Sequence, residues 1–294
     1  MTNQLNREFT ADPVAFIANP ANTVGGHDDL CLAMTGTRDQ RFAAGSAGFR
    51  ATRLLSELVD ATSVIAFDFY RYNQGGSRMA LLTPIADGTT FQMQAMSQHF
   101  RPPSSNPIRG YWFPYLPPTP EEATVARTGA GPSAVFGWVD IPKHNPEYPF
   151  CFTGSMQGCH IVVATSPANP STHYRVYHYP NVSSHWPTRG NMAFNYWPSR
   201  TGGEPVAWLD DLAYEHQAPH AVDAFNFLYH DGTRWRIYIQ KQERRVVLSK
   251  QSGSVLFDHR GTDVMEIPDR PMTQGELMQR ATQWRTARGL GNPG

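Results

Sequence analysis

Residues 153–178 read TGSMQGCHIVVATSPANPSTHYRVYH. Two β-patterned runs, 161–164 and 174–178, flank a polar loop that holds Pro167 and Pro170, so the stretch reads as a β-hairpin. Proline has no N–H to give to a ladder, and both prolines therefore belong to the loop. With 166–171 as that loop, Thr165 faces Thr172, and the same register carries Cys159 opposite His178. Directly opposed side chains share a face, with Cβ atoms about 4.5–5.5 Å apart. An imidazole so placed can take the proton of a thiol. A competing register would use His173, but it puts Pro170 inside a paired strand and splits the apolar run.

A thiol becomes a strong nucleophile when a histidine converts it to thiolate, and the same histidine then protonates the leaving group. The ring needs a third group to hold it. Thr153, six positions ahead of Cys159 and on the preceding strand, is the candidate. Gly158 lets the backbone turn tightly before Cys159 and bares N–H groups that can stabilise an oxyanion. The bland counterpart is a buried free cysteine beside a satisfied core histidine.

These residues carry a resemblance. A threonine six positions before a Gly-flanked cysteine (Thr153, Gly158-Cys159), an apolar strand, a loop and an aromatic-rich strand ending Tyr177-His178 resemble the glutamine deamidases of the cytotoxic necrotizing factor type. The chemotaxis-receptor deamidases and the Burkholderia lethal-factor deamidase are similar. The resemblance covers only the hairpin. It implies an α+β fold: a CNF-like mixed β-sandwich flanked by helices in α/β/β/α layers. It also implies a cysteine-dependent protein glutamine deamidase with Cys159, His178 and Thr153 as catalytic residues and with no metal or cofactor. The implied partner is a host protein bearing the target glutamine, such as a Rho-type small GTPase.

Composition bounds the rest. The 294 residues carry 25 basic and 25 acidic side chains, and this balance gives no footprint for a nucleic-acid partner. No apolar run approaches the roughly 20 residues of a membrane helix. The first residues lack the layout of a secretory signal. Three cysteines without a CxxC spacing (Cys31, Cys151, Cys159) argue against a disulfide framework or a zinc site and point to a reducing compartment. Lysine occurs only at 143, 241 and 250, which fits a GC-rich genome or, more sharply, a toxin evading ubiquitination in a host cytosol. The expectation is a toxin or effector secreted or injected without a signal peptide.

No repeat or linker divides the chain, so a single catalytic domain over 1–294 is expected, with roughly the first 45 residues as an irregular extension. Ser46 caps a helix whose stripe is Ala51, Leu54, Leu55 and Leu58. Strands are expected at 64–70, 79–84, 89–96, 134–141, 192–197 and 205–209. The Pro- and aromatic-rich segment 101–120 reads as an irregular loop over the core or as a peptide-recognition surface. A hairpin turns at Asp231-Gly232, strands at 246–248 and 255–258 extend its sheet, and Thr273 with Glu276 opens a capped helix to residue 288. His27 with Asp28 and Asp29, and Glu215-His216 with His220, are weaker metal candidates.

Three functions follow: the deamidase, with transglutamination when an amine replaces water; a papain-like cysteine peptidase or amidase; and a non-enzymatic binding protein working through Trp112 and Phe113. Papain-like enzymes place the cysteine at a helix N-terminus, whereas Cys159 leads into a β-pattern.

Overall fold

A computed structural model describes residues 2–24, 30–35, 64–71, 104–113, 137–153, 156, 158–179, 203–210, 213, 222–248 and 253–289. Two sheets dominate. The larger has seven strands in the order β1 (Leu30–Thr35), β2 (Val64–Arg71), β3 (Ile108–Trp112), β5 (Phe150–Phe152), β9 (Val222–His230), β10 (Trp235–Leu248) and β11 (Gly253–Glu266). The smaller has four, in the order β4 (Gly137–Pro142), β7 (His173–Tyr179), β6 (His160–Thr165) and β8 (Pro205–Leu209). Pairing is antiparallel except between β3 and β5. The content is that of an α+β fold.

Strand alternation divides the apolar residues into two layers. One face of each sheet meets the other in a shared core: Val139 and Ile141 of β4, Ile161 and Val163 of β6, Tyr174 and Val176 of β7, against Leu228 of β9 and Ile237 and Ile239 of β10. The other face of the large sheet is lined with phenylalanine (Phe67, Phe69, Phe150, Phe152, Phe225, Phe227) and is covered by two helices, α1 (Gln4–Ala11) and α2 (Pro13–Ala18). Phe9 and Ile17 are wholly buried there. Burying a phenylalanine contributes about 1.5–3 kcal/mol, and Phe9 alone meets five other aromatic rings. The expected irregular extension is thus, in part, a helical layer. Asn3 caps α1, and Asp12 caps α2 with Pro13 at its first position, a start signal overshadowed by the Asn- and Gly-rich composition.

Buried polar contacts lock this layer down. The Asp68 carboxylate of β2 accepts from Asn3, Asn6 and Ser104. Gln240 of β10 and His259 of β11 both reach the carbonyl of Ile17, at 2.9 and 3.1 Å.

The segment 101–120 departs from expectation. Within it Ile108–Trp112 is β3, an inner strand of the large sheet, and Trp112 is 1 % exposed. Trp112 and Phe113 are therefore core rather than recognition surface. The prolines on either side obscured a short strand, and Gly110 serves close packing, since a Cβ there would lie 2.9 Å from the Phe150 carbonyl oxygen. Residues 246–248 also differ: they continue β10 past an irregularity at Lys241/Gln242 rather than forming a new strand.

The hairpin at Asp231, the strands at 64–71 and 205–209, and the C-terminal helix match expectation. That helix, α3 (Gln274–Thr286), carries the complete capping box of Thr273 and Glu276 and buries Leu277 and Ala281. Its Arg285 forms a buried ion pair with Asp210 at the end of β8. The helix expected after Ser46, the strands expected at 79–84, 89–96 and 192–197, and both weaker metal candidates lie outside the described residues. Among the described residues, no helix is long and apolar enough to cross a membrane.

Candidate functional site

His178 lies on β7, an inner strand of the small sheet, in phase with Tyr174 and Val176, and so points between the sheets. Thr153 follows β5 of the large sheet and reaches across from the opposite side. Its Oγ1 lies 2.6 Å from His178 Nδ1 and 2.8 Å from the carbonyl oxygen of Phe113. Hydrogen counting sets the tautomer. A hydroxyl has one proton, and Phe113 O can only accept, so Thr153 donates to Phe113 and accepts from His178. The ring therefore carries its proton on Nδ1 and presents an unprotonated Nε2. His178 is completely buried, and loss of hydration pulls its pKa down from the ordinary 6.5 to about 3. The imidazole is neutral at physiological pH.

Cys159 precedes β6 and is 4 % exposed within the core that the two sheets share. Gly158 ahead of it has φ 68°, a left-handed turn that glycine adopts without steric penalty. The expected direct pairing of Cys159 with His178 is corrected. Ile161 stands opposite His178, and Cys159 lies two residues further along, on the same face. The cause is the loop. Ser166 remains in the ladder, its N–H bonded to His173 O at 3.0 Å, and its Oγ accepts from the Asn169 N–H. The turn thereby begins one residue later than proline placement alone suggests, and every pair slides by two. An even slide keeps the face. Thiol and imidazole become diagonal neighbours, a relation that spans about 7–8 Å between Cα atoms.

The competing base is excluded by place. His173 sits at the hairpin's loop end, opposite Pro142, with its Nδ1 2.9 Å from Thr172 Oγ1. It lies five positions along the strand from His178, roughly 17 Å. Cys151, on β5, is wholly buried in apolar surroundings that push its thiol pKa well above the usual value, so it is a packing residue. His160, next to Cys159, points to the other face of the small sheet, where its Nδ1 accepts from Trp208 Nε1 at 3.1 Å. Among the described residues no group of three or more His, Cys, Asp or Glu is arranged to hold a metal ion.

Comparison with known families finds a match to part of the chain. It is the Mcf1 activator-binding domain, over residues 127–194. The matched segment takes in β4 to β7 and, with them, Thr153, Cys159 and His178. Its name describes binding rather than catalysis, and it differs from the deamidase families that the hairpin resembles. No curated protein matches the chain.

Three contributors were not singled out from the sequence. The Phe113 carbonyl left no signal, because any residue supplies one. Met156 is stitched to Ala224 of β9 by a pair of backbone hydrogen bonds at 2.8 and 2.9 Å. Asn226, on the same strand, points between the sheets, and a lone amide between Ala224 and Leu228 in an otherwise apolar alternation was a readable signal.

Proposed function

We propose that the chain is a cysteine-dependent acyl-transfer enzyme acting on side-chain amides, a protein glutamine deamidase of CNF-like architecture. The observation that carries this reading is the Phe113–Thr153–His178 relay, which leaves the ring's proton-accepting nitrogen free of its own proton on the face that also bears Cys159.

In this reading the Cys159 thiol gives its proton to His178 Nε2 as sulphur attacks the amide carbon of the substrate glutamine. The C=O pair moves to oxygen, where backbone N–H groups near Gly158 and Cys159 stabilise it. His178 then passes the proton to the amide nitrogen, the C–N bond breaks, and ammonia leaves. Water, deprotonated by His178, attacks the thioester, and glutamate and the free thiol are released. An amine in place of water gives transglutamination. A base held near pKa 3 does not ionise a resting thiol. Proton transfer is therefore coupled to attack, with the incipient imidazolium stabilised by the thiolate or oxyanion that forms beside it. The partner is a host protein bearing the glutamine, such as a Rho-type small GTPase, met after secretion or injection.

A second reading rests on the family match. In it, residues 127–194 bind an activating protein, and Cys159 and His178 are parts of the core beneath that surface.

Peptide-level mass spectrometry separates the two. Small GTPases and cell lysate are treated with wild type or with Cys159→Ser. A gain of about one dalton on a glutamine peptide, the change from amide NH₂ to OH, is expected with wild type alone. Identical peptide maps from the two proteins would sink the enzyme reading and favour the binding one.

A further inference from the structure

The chain before Cys159 is tied down at two points. Thr153 is held by Phe113 and His178, and Met156 by its paired backbone hydrogen bonds to Ala224. Asn226 adds a side-chain contact at the second point. It is 0 % exposed, two residues along β9 from Ala224, and its Nδ2 lies 2.9 Å from the Met156 sulphur. A thioether has lone pairs and no proton to give, so the amide must present its NH₂. The carbonyl on its other arm, Oδ1, is then buried with no hydrogen-bond partner among the described residues.

As a structural element this is a poor arrangement. Thioether sulphur is a weak acceptor, and a buried carbonyl with no donor among the described residues destabilises the fold, whereas a leucine, branched at the same atom, would carry neither polar penalty. A buried polar group so poorly partnered calls for a role elsewhere. Met156 stands three residues ahead of Cys159, and the left-handed Gly158 lies between them.

We infer that Asn226 is a positioning residue for Cys159. Through Met156 it holds the approach to the thiol against β9, as Thr153 holds the imidazole from the other end of the same segment. The inference rests on Cys159 being the nucleophile.

The test follows alkylation of Cys159 by iodoacetamide, read on the Cys159 peptide by mass spectrometry from pH 6 to 9, beside the thermal midpoint. Asn226→Leu is expected to melt at or above wild type while Cys159 reacts at least fivefold more slowly across that pH range. Met156→Leu should reproduce the slower reaction, and the double variant should add nothing, because both changes break one contact. Should Asn226→Leu fail to fold, Met156→Leu carries the same test. A wild-type rate in either variant overturns the positioning role while leaving the nucleophile intact. A slower reaction accompanied by a matching loss in melting temperature marks a structural role and overturns it as well. If wild-type Cys159 is no more reactive than Cys151, the nucleophile itself falls, and the inference with it.

Discussion

Replacing Thr153 with valine removes one oxygen and leaves the shape almost unchanged. The Phe113 carbonyl loses its donor, and the His178 Nδ1–H loses its acceptor, both inside the protein. Each buried polar group left unpaired destabilises by about 1–3 kcal/mol. The added methyl offsets roughly 0.8 kcal/mol of that. The expected loss is therefore about 1–5 kcal/mol, read as a drop in urea midpoint with unchanged m. The chemistry should suffer separately. Without its acceptor the ring is free to move its proton to Nε2, the nitrogen that receives the thiol proton in the proposed reaction. Alkylation of Cys159 should fall by at least about tenfold, within the range expected when general-base catalysis is lost. Nitrogen NMR of wild-type His178 should show the Nδ1–H tautomer. A loss below about 0.5 kcal/mol, or an Nε2–H tautomer in wild type, would refute the hydrogen counting on which the site rests.

Two further outcomes follow from buried charge. The native pKa of His178, about 3, lies below the unfolded value near 6.5. The two states bind protons equally above pH 6.5. Below it the unfolded chain takes a proton that the native ring refuses, so stability falls as pH drops from about 6.5 toward 3, at up to about 1.4 kcal/mol per pH unit. Urea unfolding at successive pH values should show a steeper decline for wild type than for His178→Asn, and parallel curves would contradict the buried neutral ring. The Arg285–Asp210 pair gives the second outcome. Arg285→Met strands a buried carboxylate and should lose about 3–5 kcal/mol, whereas Arg285→Met with Asp210→Asn should recover most of it, because Asn still accepts the Ala213 N–H. Equal urea midpoints for the single and double variants would show that the pair is solvated.

The sequence made some of this legible and hid the rest for identifiable reasons. Capping signals are local, and so α3 could be placed from Thr273 and Glu276 alone. Period-two alternation on either side of Asp231-Gly232 marked the hairpin of β9 and β10, whose turn spans Asp231 to Arg234. The face that Cys159 and His178 share was also readable, because strand parity survives any even slip. The exact pairing was not. Whether the turn begins at Ser166 or Pro167 depends on the Ser166 side chain capping Asn169, a contact that proline counting does not register. β3 was lost because its pairing partners β2 and β5 lie far away in sequence, while its own neighbours are rich in loop-forming proline. The N-terminal helices were lost to composition: Asn3, Asp12 and Asn19 read as loop residues when counted and as caps when placed.

The Ile17 carbonyl, joined to Gln240 and to His259 some 242 residues away, sets an order of events during synthesis. At roughly 5–20 residues per second, about 12–50 s separate the emergence of α2 from that of its last anchor. Through most of that interval the helices, and then β2 and β5, have emerged without β9, β10 and β11, the strands that complete their layer and clamp the helical cover. The N-terminal helices of a nascent chain therefore wait for strands from the far end of the sequence, and their layer closes only when synthesis is nearly complete.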